Sequence, residues 1–281
     1  MIRFIITATA FLVSLITQAQ IKVPQASPKG ILTQTVGLTE IEIEYSRPSV
    51  KGRTIFGDLV PFGKIWRTGA NANTTIEFSD DIMINGAALK KGKYALYVIP
   101  KADEWEIYFY NDTNNWGTPE KWDETKIALK ASAKTEILHR LVETFTIQIA
   151  NTDLNAANLE FLWEKTSVSL RFEVPTNKAT IASIDKTLNG PTSGDYFAAS
   201  QYYYNANVDL NKALQYVNKA YEMNEKRPFW YTRLKSQIQA KLGDYKGAIE
   251  TAKNSLEGAK SANNLDYIKM NEESIREWTK K

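Results

Sequence analysis

The chain has 281 residues, 43% of them hydrophobic, enough for two cores that each bury roughly two-thirds of the unfolded surface without metal or disulfide. Its 35 Lys and Arg stand against 32 Asp and Glu, and the resulting formal charge of +3 is too weak for a nucleic-acid-binding protein. Cysteine is absent, which excludes disulfides, thiol nucleophiles and a thiol-linked lipid anchor.

Residues 1–19 have the anatomy of a secretory leader. Arg3 precedes an apolar run over 4–16, and Thr17-Gln18-Ala19 offers small residues for cleavage after Ala19. The run is shorter than the ~20 residues that span a bilayer, so no stable membrane span is expected after its removal. The mature protein is expected in the periplasm or outside the cell.

From Thr39 to Ser46 apolar Ile41, Ile43 and Tyr45 alternate with Glu40, Glu42 and Glu44, the period of a half-buried strand. The stretch 94–99 is apolar on both faces and predicts a central strand covered on two sides, with Asn85-Gly86 and Lys91-Gly92 as turns on the approach. Alternation returns at Trp105-Ile107-Phe109, at Phe145-Ile147-Ile149 and at Val168-Leu170-Phe172-Val174. Nine or ten short strands of this kind predict an antiparallel β-sandwich or closed barrel over 20–175.

The alternation ends at a Pro-bounded stretch rich in Thr, Asn, Ser and Gly, which predicts a linker over 176–190 in which Ile181 and Ile184 can form a short helical tether. Behind it the period is helical over 191–281. There Asp209-Leu210-Asn211-Lys212-Ala213-Leu214 matches Asp244-Tyr245-Lys246-Gly247-Ala248-Ile249 at an offset of 35 residues. Each unit reads as two helices around a tight turn and resembles the tetratricopeptide repeat, with a capping helix through Leu265, Ile268, Ile275 and Trp278. The predicted fold class is therefore two-domain α+β, an antiparallel β-sandwich followed by an all-α tetratricopeptide-like array. Such an array predicts a groove for a protein or peptide, with Tyr196, Gln201, Tyr204, Trp230, Arg233 and Gln237 on its lining helices; several of these rings serve equally well as core between repeats.

The densest polar and glycine-rich segment holds Tyr45-Ser46-Arg47-Pro48, Lys51-Gly52-Arg53, Ile55-Phe56-Gly57 and Trp66-Arg67-Thr68-Gly69-Ala70-Asn71. Together with Gly92-Lys93-Tyr94, Asn115-Trp116-Gly117 and Leu162-Trp163-Glu164, these strings resemble the family catalogued as domain of unknown function 2911, found in exported bacterial proteins, over roughly residues 25–175. The resemblance implies a β-rich fold and export. It implies no established activity, catalytic residue or cofactor.

Two roles are open to Arg47, Lys51, Arg53 and Arg67. With Asn71 they can form an anion-binding rim, or they can fasten a long loop by bonding carbonyls or pairing with Glu77, Glu160 or Glu164. Trp116 and Trp122 lie in a polar segment beside Asn and Asp, where they can stack on a glycan or cover the sandwich core. The single histidine, His139, excludes a multi-histidine zinc site within one chain and has no G-x-S-x-G companion. No Walker loop, dinucleotide fingerprint or EF-hand is present, so no cofactor is expected. Binding is favoured over catalysis, with a hydrolase or carbohydrate-active protein working at the arginine loop as the alternative.

Overall fold

The computed structural model describes residues 23–187 and 190–281, and the expected leader lies outside them. Among the described residues nine strands precede six helices. The strands are β1 (Lys29–Val36), β2 (Thr39–Ser46), β3 (Thr74–Phe78), β4 (Ile82–Ile84), β5 (Ala87–Leu89), β6 (Gly92–Pro100), β7 (Glu104–Tyr110), β8 (Ile127–Ala150) and β9 (Ala156–Glu173). All pair antiparallel, in the order β1-β2-β3-β6-β7-β8-β9-β4-β5.

Two layers arise because one strand belongs to both. The first part of β8 pairs with β7 as far as Glu104↔Lys134, and the remainder pairs with β9 from Thr135↔Val168 to Ala150↔Asn158. Register slips between Ile137 and Val142 and again before Thr146 let the strand bend, and opposite Val142 the non-glycine residue Glu164 takes a φ of 55°. The short strands expected here are thus replaced by one of 24 residues and one of 18. In the sequence this continuity is masked, because the inward positions Ala131 and Ala133 are too small to mark the alternation.

Alternation does set the faces elsewhere. Ile41, Ile43 and Tyr45 of β2 are buried while Glu40 and Glu42 are exposed. On β6, Tyr94, Leu96 and Val98 enter the inter-sheet core, and Ala95 and Tyr97 are buried on the opposite face beneath the segment 111–126. Between the layers Trp66 stacks on Trp163 at 5.7 Å, and Phe56, Trp105 and Phe145 meet them edge-on or tilted. The Trp66 indole donates to the Gly69 carbonyl at 3.0 Å, so its polar edge is satisfied inside the core. Asn85-Gly86 makes the two-residue turn between β4 and β5 with φ of 50° and 78°, the left-handed pair that matches strand twist.

The helices are α1 (Thr176–Thr187), α2 (Ser193–Ala206), α3 (Leu210–Met223), α4 (Phe229–Lys241), α5 (Tyr245–Ser261) and α6 (Leu265–Trp278). Most of the span 176–190 is α1. Its start is tied to the sandwich by Asn155, whose carbonyl accepts from the Val174 amide and whose side chain accepts from the Asn177 amide. Ile181 and Ile184 of α1 pack against the core between α2, α3 and α4. Asp209 and Asp244, 35 positions apart, each cap the second helix of a hairpin by accepting from the amide three residues on. Ala213 and Ala248 follow at equivalent places and are fully buried, as close helix packing requires. At Gly258 of α5 an added Cβ would lie 2.6 Å from the Phe229 Cβ, which brings α4 and α5 together at a glycine. Among the described residues no helix is long and apolar enough to cross a membrane.

Candidate functional site

The arginine-rich loop between β2 and β3 divides on inspection of its bonds. Arg47 lies over the Tyr45 ring and donates through Nε to the Phe145 carbonyl at 3.2 Å and through a terminal nitrogen to Thr146 Oγ1 at 2.9 Å. Arg53 donates to the Val50 and Ser49 carbonyls at 3.0 and 2.6 Å. Lys51 is exposed, and its backbone amide donates to Glu143. Among the described residues neither arginine forms an ion pair with Glu77, Glu160 or Glu164. Glu164 instead accepts from the Ile55 amide, and Glu160 accepts from Gln148. Arg47 and Arg53 thus hold the loop to β8 and to itself through neutral oxygens.

Arg67 and Asn71 make different contacts. The Arg67 stem runs beside Gly117, its Nε is buried without a hydrogen-bond partner among the described residues, and burial lowers the guanidinium pKa. Asn71 has a φ of 59° and donates to the Ser27 carbonyl and Ser46 Oγ, both at 3.3 Å. It shares a cleft of about 180 Å³ with Lys29, Glu44, Asn73 and Trp116. A second hollow of about 400 Å³ adjoins it through Glu44, Ala72, Asn73 and Trp116 and continues to Thr75, Lys93 and the Asn114-Asn115 turn.

The two loop tryptophans separate. Trp122 lies against the outer face of the sheet, stacked on Tyr110 at 4.5 Å and edge-on to Tyr97 and Tyr108. Beneath it burial pushes the Tyr97 phenol up to about 12, and its hydroxyl donates to the Gly117 carbonyl at 3.2 Å. Trp116 packs on no other aromatic ring among the described residues and is 82% exposed at the cleft. The backbone that carries it is nonetheless fixed. Asn115 donates to Asn73 Oδ1 at 2.9 Å, and the Asn73 amide returns a bond to the Asn115 carbonyl at 3.2 Å.

In the helical region Tyr204, Arg233 and Gln237 line one groove of about 280 Å³ with Lys241, Ser274 and Trp278. Arg233 donates to Ser274 Oγ at 2.9 Å and to Asn271 Oδ1 at 3.5 Å, and burial lowers its pKa. Lys241 sits 4.9 Å from the centre of the Tyr204 ring. Tyr196 lies outside this groove and packs against Tyr216. Trp230 is 43% exposed beside Phe229 and Tyr231, and Gln201 is exposed on α2.

Glu44, Asn73 and Lys93 are cleft residues the sequence does not single out. Glu44 and Lys93 read as ordinary outward positions of alternating strands, and Asn73 acquires its role only by meeting a turn 42 residues on. His139 is exposed on β8. Among the described residues no three His, Cys, Asp or Glu side chains converge where they could hold a metal ion.

No curated protein and no solved structure matches the chain. Residues 27–172, from just before β1 to Phe172 of β9, match the family model described as protein of unknown function (DUF2911). That match takes in the arginine loop, the Trp116 cleft and both layers of the sandwich, and covers just over half of the chain, which therefore belongs to this family of proteins of unknown function.

Proposed function

We propose that the protein is an exported, non-catalytic binding protein of the cell envelope whose tetratricopeptide-like helical array takes an acidic peptide segment of a partner. The observation that carries this reading is Arg233. It is a half-buried guanidinium lining the groove, held by the neutral oxygens of Ser274 and Asn271, with no carboxylate partner among the described residues. A partly buried cation without a counter-ion favours an incoming carboxylate, since part of the desolvation is already present in the unbound protein. Lys241 on the Tyr204 ring and Lys281 add positive charge along the same groove, against Glu277 alone among its acidic lining. The alternative of a hydrolase at the arginine loop draws no support from Arg47 and Arg53, whose heads are occupied by carbonyls and a threonine hydroxyl.

The test is a fluorescence-anisotropy titration of the full chain with labelled acidic and neutral peptides of equal length. Acidic peptides should bind more tightly, and the affinity should fall with rising salt. Arg233→Gln should weaken binding at least tenfold, with Arg233→Lys between the two. Unchanged binding by a folded Arg233→Gln variant would refute the groove as the docking site.

A further inference from the structure

We infer that the cleft beside Trp116 is a binding site for a neutral oligosaccharide. Trp116 is 82% exposed, and its ring makes no stacking contact with another aromatic side chain among the described residues. An indole left in water adds little to the fold, and here, unlike the more exposed Ile137, it stands in the wall of a polar-lined cleft, where its flat apolar face is available to a ligand. The neighbouring Trp122 does the covering work over the sheet, so the lid role is already filled.

Trp116 is also held in place for contact. Asn115 on one side is joined to Asn73 by two hydrogen bonds, and Gly117 on the other accepts from the Tyr97 hydroxyl. The Asn115 side chain closes the turn by donating to the Asp112 carbonyl at 3.0 Å. An exposed ring on a pinned backbone loses little further freedom when a ligand stacks on it.

The cleft walls select the class of ligand. A sugar offers an apolar C–H face to an indole and a rim of hydroxyls that need both donors and acceptors. Asn71, Thr75 and Asn115 supply both kinds without charge. Asn71 uses its Nδ2 on Ser27 and Ser46, which leaves Oδ1 as an acceptor with no partner among the described residues. Glu44 is already neutralised by Lys29 at 2.6 Å, so its carboxylate can accept from a hydroxyl without demanding a cationic ligand. Lys93 is then the cation of the walls without an ion-pair partner among the described residues, and an anionic ligand would call for a converging pair. The larger hollow, about 400 Å³, falls within the ~300–1,000 Å³ of small-ligand sites and runs directly into the smaller one, which suits a chain of sugar rings better than a single ring. The site uses no residue of the helical groove, so the two readings stand or fall separately.

The experiment is calorimetric titration of the full chain with gluco-, manno- and N-acetylglucosamine hexaoses, and with a galacturonic acid hexaose as the acidic arm. At least one neutral hexaose should bind with a Kd of ~1 mM or tighter. Trp116→Ala should weaken that binding at least tenfold while leaving the thermal midpoint unchanged, and Trp116→Tyr should restore part of it. Three results would overturn the inference: no neutral hexaose binding, neutral binding that survives Trp116→Ala, or binding confined to the acidic hexaose and abolished by salt.

Discussion

The Tyr45 hydroxyl donates to the Ile147 carbonyl at 3.2 Å and accepts from the Ile147 amide at 3.0 Å, so one phenolic oxygen serves both backbone groups of a residue 102 positions away. Beside it, Pro48 and Val50 bond the backbone of Phe145 and Glu143. Together these contacts occupy backbone groups of β8 at Glu143, Phe145 and Ile147. Tyr45→Phe strands a buried N–H and a buried C=O, and should cost about 1–3 kcal/mol in chemical unfolding. Tyr94→Phe, whose hydroxyl bonds only the Lys90 carbonyl, should cost less. Equal losses would show that the paired bond to Ile147 has no special weight.

Arg47 and Lys51 stand four residues apart in the same loop and should respond unequally to truncation. Arg47→Ala removes two long-range hydrogen bonds and the cover over Tyr45, a loss of about 1–3 kcal/mol. Lys51→Ala touches only an exposed side chain and should stay within about 0.5 kcal/mol of the parent. Urea midpoints of the two variants decide the matter.

Trp122→Ala should destabilise the sandwich by about 3 kcal/mol, because it uncovers Tyr97, Tyr108 and Tyr110 together. Amide exchange should accelerate across β6 and β7 in this variant and stay unchanged in α2 to α5. A uniform acceleration through the helices would contradict a lid local to the sheet.

Glu106 on β7 accepts from Tyr108 at 2.6 Å and from Lys101 at 2.9 Å, and pairs with Lys130 at 3.0 Å. These bonds, led by that from Tyr108, bring its carboxyl from the ordinary 4.5 down to about 2. The folded pKa is depressed, so the contribution is complete above pH 4.5, where the unfolded chain is also ionised, and is lost as pH falls toward about 2. Glu106→Gln should therefore be less stable than the parent at neutral pH and show a flatter decline across that window. Salt should narrow the difference, since both lysines are about half exposed. Parallel pH profiles for the two proteins would exclude the network as a source of acid sensitivity.

What the residues alone disclose follows from the range of the interactions involved. The strand at 39–46, the doubly covered stretch at 94–99 and the paired caps Asp209 and Asp244 are set by neighbours a few positions apart, and all are readable as pattern. The fate of each arginine is not. Arg47 finds Phe145 and Thr146 nearly a hundred residues on, whereas the Nε of Arg67, twenty residues further along, finds no partner among the described residues, and nothing in their local strings separates them. Trp116 and Trp122 present the same difficulty, because only the folded sheet decides which ring lies over Tyr110. The bend in β8 is hidden for another reason: Ala131 and Ala133 carry the inward face with too little apolar surface to stand out.

That bend ties the two halves of the sandwich into a single thermodynamic unit. Neither layer owns a complete set of strands, since the thread that finishes one begins the other at Thr135. Melting of either layer therefore draws on the second, and a cut in the exposed stretch around His139 and Arg140 would leave the layers joined by their common core and the Tyr45–Ile147 bonds rather than by a continuous strand.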